Sequence, residues 1–125
     1  MSFEKWVPQP DLSLPASATI VQSRLIRLTS DVAQALRLRG KTTAHLFYDK
    51  KRKVIGIRPS DKKDESTSKI RQSAKSTSLH VPSFFRHYEI DIPGIKRFHC
   101  WWDEKEKMAM IDISRPSPRG RPAGT

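Results

Sequence analysis

Leu25-Ile26-Arg27-Leu28-Thr29-Ser30-Asp31-Val32-Ala33-Gln34-Ala35-Leu36 leads through Arg39-Gly40-Lys41 into Leu46-Phe47-Tyr48-Asp49-Lys50-Lys51-Arg52-Lys53-Val54-Ile55-Gly56-Ile57, and this stretch decides the fold. Apolar and polar residues alternate in Ile26-Arg27-Leu28, as in a strand with one wet, basic face. Ile20, Leu25, Ile26 and Leu28, with Arg24 and Arg27 between them, predict one strand within Thr19–Leu28. Ser30 or Asp31 then offers an N-cap, and Val32, Ala35 and Leu36 form a narrow apolar stripe at helical spacing. Arg37 and Arg39 suit the carbonyl end of that helix, and Gly40 suits the left-handed residue beyond it. Thr42–Tyr48 and Val54–Arg58 read as a β-hairpin around Asp49–Lys53, with Pro59 ending its second strand.

The same order returns further along. Leu28-Thr29-Ser30 falls on Val81-Pro82-Ser83, Phe47-Tyr48-Asp49 on Trp101-Trp102-Asp103, and Lys53 on Lys107. In the second copy Leu79-His80-Val81 is the strand. Pro82 opens a helix over Ser83–Glu89 with Phe84, Phe85 and Tyr88 on one side. Ile92-Pro93-Gly94 breaks it, and Lys96–Trp102 and Lys107–Ile113 make the second hairpin around Asp103–Glu106. One copy alone would leave two strand edges and half a core exposed, whereas two can close on each other.

This divides the chain into an extended, proline-rich arm (1–18), a first repeat (19–59), a polar linker (60–77), a second repeat (78–114) and a basic Pro/Arg tail (115–125). Phe3 and Trp6 in the arm are candidates to pin it to the domain or to a partner. Ile70 is the one large apolar residue of the linker, where a brief ordered turn is expected at Ser68–Arg71. The predicted class is α+β, mostly β: two strand–helix–hairpin repeats forming an intrachain pseudo-dimeric small β-barrel.

Composition bounds the function. The chain has 125 residues, enough for one domain, and carries 24 Lys+Arg against 13 Asp+Glu, a formal charge of +11. Residues 1–60 hold 11 basic and 4 acidic groups, whereas 82–114 hold 5 and 6. A polyanion such as nucleic acid is the natural partner for that excess, and the first repeat and tail are its expected carriers. No apolar run approaches the roughly 18–20 residues of a membrane span, and Met1-Ser2-Phe3-Glu4-Lys5 lacks a signal peptide's apolar segment. Cys100 is the single cysteine, so the sequence predicts no disulfide framework, which agrees with a cytoplasmic location, nucleoid-associated if the chain binds DNA. His45, His80, His87 and His99 lack metal-ligand spacing, and the five scattered glycines form no phosphate-cradling loop. The expectation is no enzyme, no catalytic residue, no metal, no cofactor and no small-molecule substrate.

The residues Leu28-Thr29-Ser30-Asp31-Val32, Leu36-Arg37-Leu38-Arg39-Gly40-Lys41 and Val54-Ile55-Gly56-Ile57-Arg58-Pro59 resemble the AbrB-type swapped-hairpin DNA-binding family. That family includes SpoVT-like regulators, MazE-type antitoxins and MraZ. Val81-Pro82-Ser83-Phe84-Phe85 and Met110-Ile111-Asp112-Ile113 carry the likeness in the second copy. There aromatics replace Val and Ala on the helix, and the hairpin is acid-rich. Most members of the family are dimers whose hairpins interleave into one small barrel, and MraZ carries two such units in one chain. The resemblance implies a DNA face using Arg24, Arg27, Arg37, Arg39 and Lys41. Lys50, Lys51, Arg52 and Lys53 would be a second phosphate-tracking cluster, or a hairpin tip charged only for solubility.

Pro118-Arg119-Gly120-Arg121-Pro122 reproduces the Arg-Gly-Arg-Pro core of the AT-hook, with Arg115 the one flanking cation. An extended Arg-Gly-Arg fits the narrow minor groove of A·T-rich DNA, and such a tail also suits general phosphate binding. Of the adjacent Trp101 and Trp102, one can face the core and the other is to be covered by the N-terminal arm or a partner, or to stack on a base, for which Trp102 is the candidate. Three functions follow: a DNA-binding regulator or accessory architectural factor acting on duplex DNA; an antitoxin-like or complex-subunit protein whose barrel binds protein; and an RNA or single-strand binder.

Overall fold

Strand β1 (Ser17–Val21) opens the computed structural model, which describes residues 16–116, and β2 (Leu25–Thr29) returns beside it. Gln22 and Ser23 between them sit at φ 50° and 54°, and Arg24 N donates to Val21 O at 3.0 Å. Gln22 and Ser23 are the left-handed centre of this three-residue connection, and that backbone matches the twist of the strands it joins. The single strand expected within Thr19–Leu28 is therefore two strands. No Gly or Asn marks the turn; tertiary bonds hold it instead. Gln22 N donates to Gly94 O at 2.7 Å, and Ser23 Oγ accepts from Ile92 N at 2.6 Å.

Helix α1 (Ser30–Ala35) is capped by Thr29, whose hydroxyl accepts from Val32 N at 3.4 Å; Ser30 and Asp31, the expected caps, lie inside the first turn. Ala33 and Leu36 are its buried residues, with Val32 and Ala35 half-buried. Leu38 N donates to Ala33 O at 2.8 Å across Arg37, which stands at φ 60°. Arg37 thus takes the left-handed place expected of Gly40, because burying Leu38 requires the chain to turn there. Gly40, at φ 82°, makes the next bend into β3 (Thr43–Asp49).

β3 and β4 (Val54–Ser60) form a hairpin closed by Lys50–Lys53. Asp49 Oδ1 accepts from Lys51 N and Arg52 N, both at 3.1 Å, and Lys53 ends the turn at φ 56°. Pro59 does not stop β4: it pairs with Ala44 of β3, while the ladder on the other side of β4 has already ended at Ile57. A proline costs no ladder bond at such an edge.

Residues 60–77, read as a linker, contribute β5 (Ser68–Lys69), β6 (Arg71–Gln72) and the start of β7 (Ser76–His80). Helix α2 (Pro82–His87) follows with Pro82 at its start, where the missing amide hydrogen is not needed. Phe85 is buried and Phe84 half-buried, whereas Tyr88 just past the helix is 39% exposed. β8 (Ile95–Asp103) and β9 (Met108–Asp112) complete the chain. Residues 1–15 of the expected arm and 117–125 of the tail, with Arg119 and Arg121, lie outside the described residues.

The strands form one antiparallel sheet in the order β5-β3-β4-β9-β8-β1-β2-β7-β6. Its two outer strands are β5 and β6, which Ile70 alone separates in sequence, so the sheet curls into a nearly closed barrel. β8 joins two walls: its first half pairs with β1 and its second half with β9. We call β8(95–99)-β1-β2-β7-β6 the first wall and β5-β3-β4-β9-β8(100–103) the second.

Inside the barrel lie Ile20, Ile26, Leu28, Leu36, Leu38, Ile55, Ile57, Leu79, Phe85, Phe98 and Ile111, all at most 2% exposed. Trp102 packs against this core, and Trp101 against a small second cluster of Val54, Met108 and Met110. Cys100 is buried, which pushes its thiol up to about 12, while its neighbour His99 faces out. The fold is mostly β, as the alternating patterns led one to expect.

Candidate nucleic-acid interface

The cations expected to bind DNA separate into those held by the protein and those left facing solvent. Arg39 is held most firmly. Its guanidinium donates to Gln72 Oε1 (3.2 Å), Ser76 O (3.0 Å), Thr77 Oγ1 (3.4 Å) and Ala74 O (3.3 Å). Gln72 completes the clamp by donating to Leu38 O and Lys41 O, both at 2.9 Å. Arg39 therefore ties the end of α1 to the β6–β7 turn. Of the cations that the resemblance assigned to a DNA face, it is the one whose guanidinium makes the most hydrogen bonds within the protein.

Arg37 reaches the far hairpin. It pairs with Glu104 at 3.1 Å and lies over the Trp102 ring, 4.8 Å from its centroid. Trp102 Nε1 also donates to Glu104 at 2.7 Å. Hydrogen bonds from Lys107 and Trp102, with Arg37 nearby, hold the Glu104 carboxyl below the usual carboxylate range. The face of Trp102 expected to stack on a base is occupied by Arg37. Lys41 pairs with Asp61 at 3.2 Å, and Arg52 with Asp49 at 2.7 Å. The Arg52 contact holds Asp49 below its ordinary value. Lys50, Lys51 and Lys53 remain exposed at the hairpin tip, and Arg115 is exposed at the end of the described residues.

Arg24 and Arg27 are exposed and have no side-chain hydrogen bond or ion pair among the described residues. Arg24 flanks the β1–β2 turn. Arg27 projects from the middle of β2, between inward Ile26 and Leu28.

Around Arg27 the charge pattern changes. The strands of the first wall (SATIV, LIRLT, RQ, STSLH and, from β8, IKRFH) contain Arg27, Arg71, Lys96 and Arg97 and not one Asp or Glu. The second wall carries Asp49, Asp103 and Asp112 in its strands. Every ion pair among the described residues also lies off the first-wall strands. The strand-borne cations thus gather on the first wall, which draws on both halves of the chain. Arg71 and Arg97 were missed in sequence. Arg71 stands in a two-residue strand without periodicity, and the register that sets Arg97 beside β1 is a long-range fact.

No protein-family model, curated protein or solved structure matches this chain. Among the described residues there is no cluster of His, Cys, Asp and Glu able to hold a metal ion, and no helix long and apolar enough to cross a membrane. The candidate interface is a cationic sheet face, free of carboxylates on its strands, whose arginines make no side-chain hydrogen bond or ion pair among the described residues. Chemically such a face neutralises phosphates.

Proposed function

We propose that this chain is a small DNA-binding protein, a transcriptional regulator or accessory architectural factor, that docks on duplex DNA through the outer face of its first wall. The observation that carries the reading is the absence of any carboxylate from strands that present Arg27, Arg71 and Arg97 to solvent. A set of cations on one face, with no carboxylate on the strands that carry them, concentrates positive potential where a polyanion can approach. The exposed Lys50, Lys51 and Lys53 and the tail with Arg119 and Arg121 would add sequence-independent attraction.

The same proposal takes the barrel as an internal pseudo-dimer of the swapped-hairpin kind. Several local features recur in its support. Each helix is followed by a left-handed residue, Arg37 or Glu89, bridged by the same bond, Leu38 N to Ala33 O and Ile90 N to Phe85 O, each 2.8 Å. Each hairpin turn is tied by one aspartate, Asp49 or Asp103, and ends on a lysine at φ 56°, Lys53 or Lys107. β2 pairs with β7 and β4 with β9, each strand against its counterpart. β1 and the bent β5–β6 segment are also counterparts: each precedes one of these strands and bridges to the other half. The copies differ where Arg39 alone separates Leu38 from Gly40, whereas Asp91-Ile92-Pro93 separates Ile90 from Gly94.

The test is binding to duplex DNA, single-stranded DNA and RNA across a salt series. The expected result is duplex binding that weakens steeply with salt, as counterion release requires. Preference for single strands, or no binding to any of the three at moderate salt, would overturn it.

A further inference from the structure

The register of the first wall places three arginines in one cross-strand row. Arg97 lies opposite Thr19, Thr19 opposite Arg27, Arg27 opposite Ser78, and Ser78 opposite Arg71. Directly opposed residues project from the same face of a sheet. Here that face is the outer one, because Arg27 is exposed between buried Ile26 and Leu28. Arg71 and Arg97 are exposed as well and have no side-chain hydrogen bond or ion pair among the described residues.

The row therefore reads Arg97–Thr19–Arg27–Ser78–Arg71. With neighbouring strands about 4.8 Å apart, successive arginines stand roughly 9.6 Å apart and the row spans about 19 Å. The residues between them are short hydroxyls. They leave each guanidinium open to solvent and can themselves donate to a phosphate oxygen.

Width decides what such a row can touch. The major groove of B-DNA, about 12 Å wide, admits a two-stranded ribbon but not a five-stranded wall. Arginines on the wall consequently meet the phosphate rails rather than the base edges. Stacking is equally disfavoured, since β1, β2, β6 and β7 contain no Phe, Tyr or Trp on which an unpaired base could lie, and Phe98 in the β8 part of the wall is buried.

We infer that the Arg97–Arg27–Arg71 row is a backbone-binding track for duplex DNA that engages three phosphates without reading sequence. This rests on the DNA-binding reading above and names the residues and class of contact that serve it. The experiment compares the full chain, the triple variant Arg27→Gln/Arg71→Gln/Arg97→Gln, and the triple variant with Lys at the same positions. Each is titrated against two short duplexes of unrelated sequence, from about 50 to about 200 mM salt. The slope of log K against log salt should fall by about 2.7 in the Gln variant, at about 0.9 per phosphate contact, and equally on both duplexes. The Lys variant should keep the parental slope, because its point charges still neutralise phosphates. A Gln variant with the parental slope, or a loss confined to one duplex, would overturn the track and leave the DNA-binding reading standing. A slope lost in the Lys variant would also overturn it. A parent chain that binds neither duplex would overturn both.

Discussion

Arg39 directs its guanidinium to four protein acceptors, on Gln72, Ala74, Ser76 and Thr77. Hydrogen bonds to a charged group contribute about 1.5–3 kcal/mol, and removing the donor leaves its acceptors to be resolvated. Thr77 is fully buried and donates to Gln72 Oε1 at 2.5 Å, so the loss reaches into the core rim. Arg39→Ala should therefore lower unfolding stability by about 1.5–3 kcal/mol, read as a lower urea midpoint, while duplex affinity of the folded fraction stays near that of the parent. The opposite pattern, full stability with lost affinity, would make Arg39 a DNA ligand after all. Sequence could not separate Arg39 from Arg27: both are arginines close to apolar residues. Arg27 was legible because alternation with Ile26 and Leu28 fixes its face. The fate of Arg39 depends on Gln72 and Thr77, which the chain brings back only after more than 30 residues.

Among the elements, the β5–β6 segment carries the closure of the barrel on one side chain. Ile70 separates the two strands, is 3% exposed, and donates its backbone N to Thr42 O at 2.8 Å. Ile70→Ala should cost about 2–5 kcal/mol of unfolding free energy, and Ile70→Val about 0.5–1.5 kcal/mol, both measured by urea denaturation. A loss below about 0.5 kcal/mol for the alanine variant would mean that the rims hold without this residue. The helices and both hairpins were legible from helical spacing, Pro82 and the Asp-led turns, because those signals are local. The segment holding Ile70 was not. Two-residue strands set among Ser, Lys and Asp have no periodicity, and a lone isoleucine in polar sequence does not announce what it seals. The β1–β2 turn was hidden for a related reason: its left-handed residues are Gln22 and Ser23, held by Gly94 and Ile92 rather than chosen for the turn.

For the whole molecule, the pairings that matter run between the halves of the chain. A cut after Ser60 would separate β1 from β8, β2 from β7, β4 from β9 and β3 from β5 at once. The fragment 16–60 would keep two hairpins and one short helix, with four strand edges exposed and only half the buried side chains. Two-stranded hairpins are marginal in water, and open edges favour pairing with another chain. Neither 16–60 nor 61–116 alone should therefore show a cooperative urea transition at low concentration. Mixing them should restore one, together with the burial of Cys100, read as lost reactivity toward a thiol reagent. That readout is specific because burial pushes the thiol to about 12 in the assembled core, so almost no thiolate is present near neutral pH. A monomeric fragment 16–60 that unfolds cooperatively would mean that each half closes on itself. The mixed wall of Arg27, Arg71 and Arg97 would then be an accident of packing rather than a consequence of how the barrel is completed.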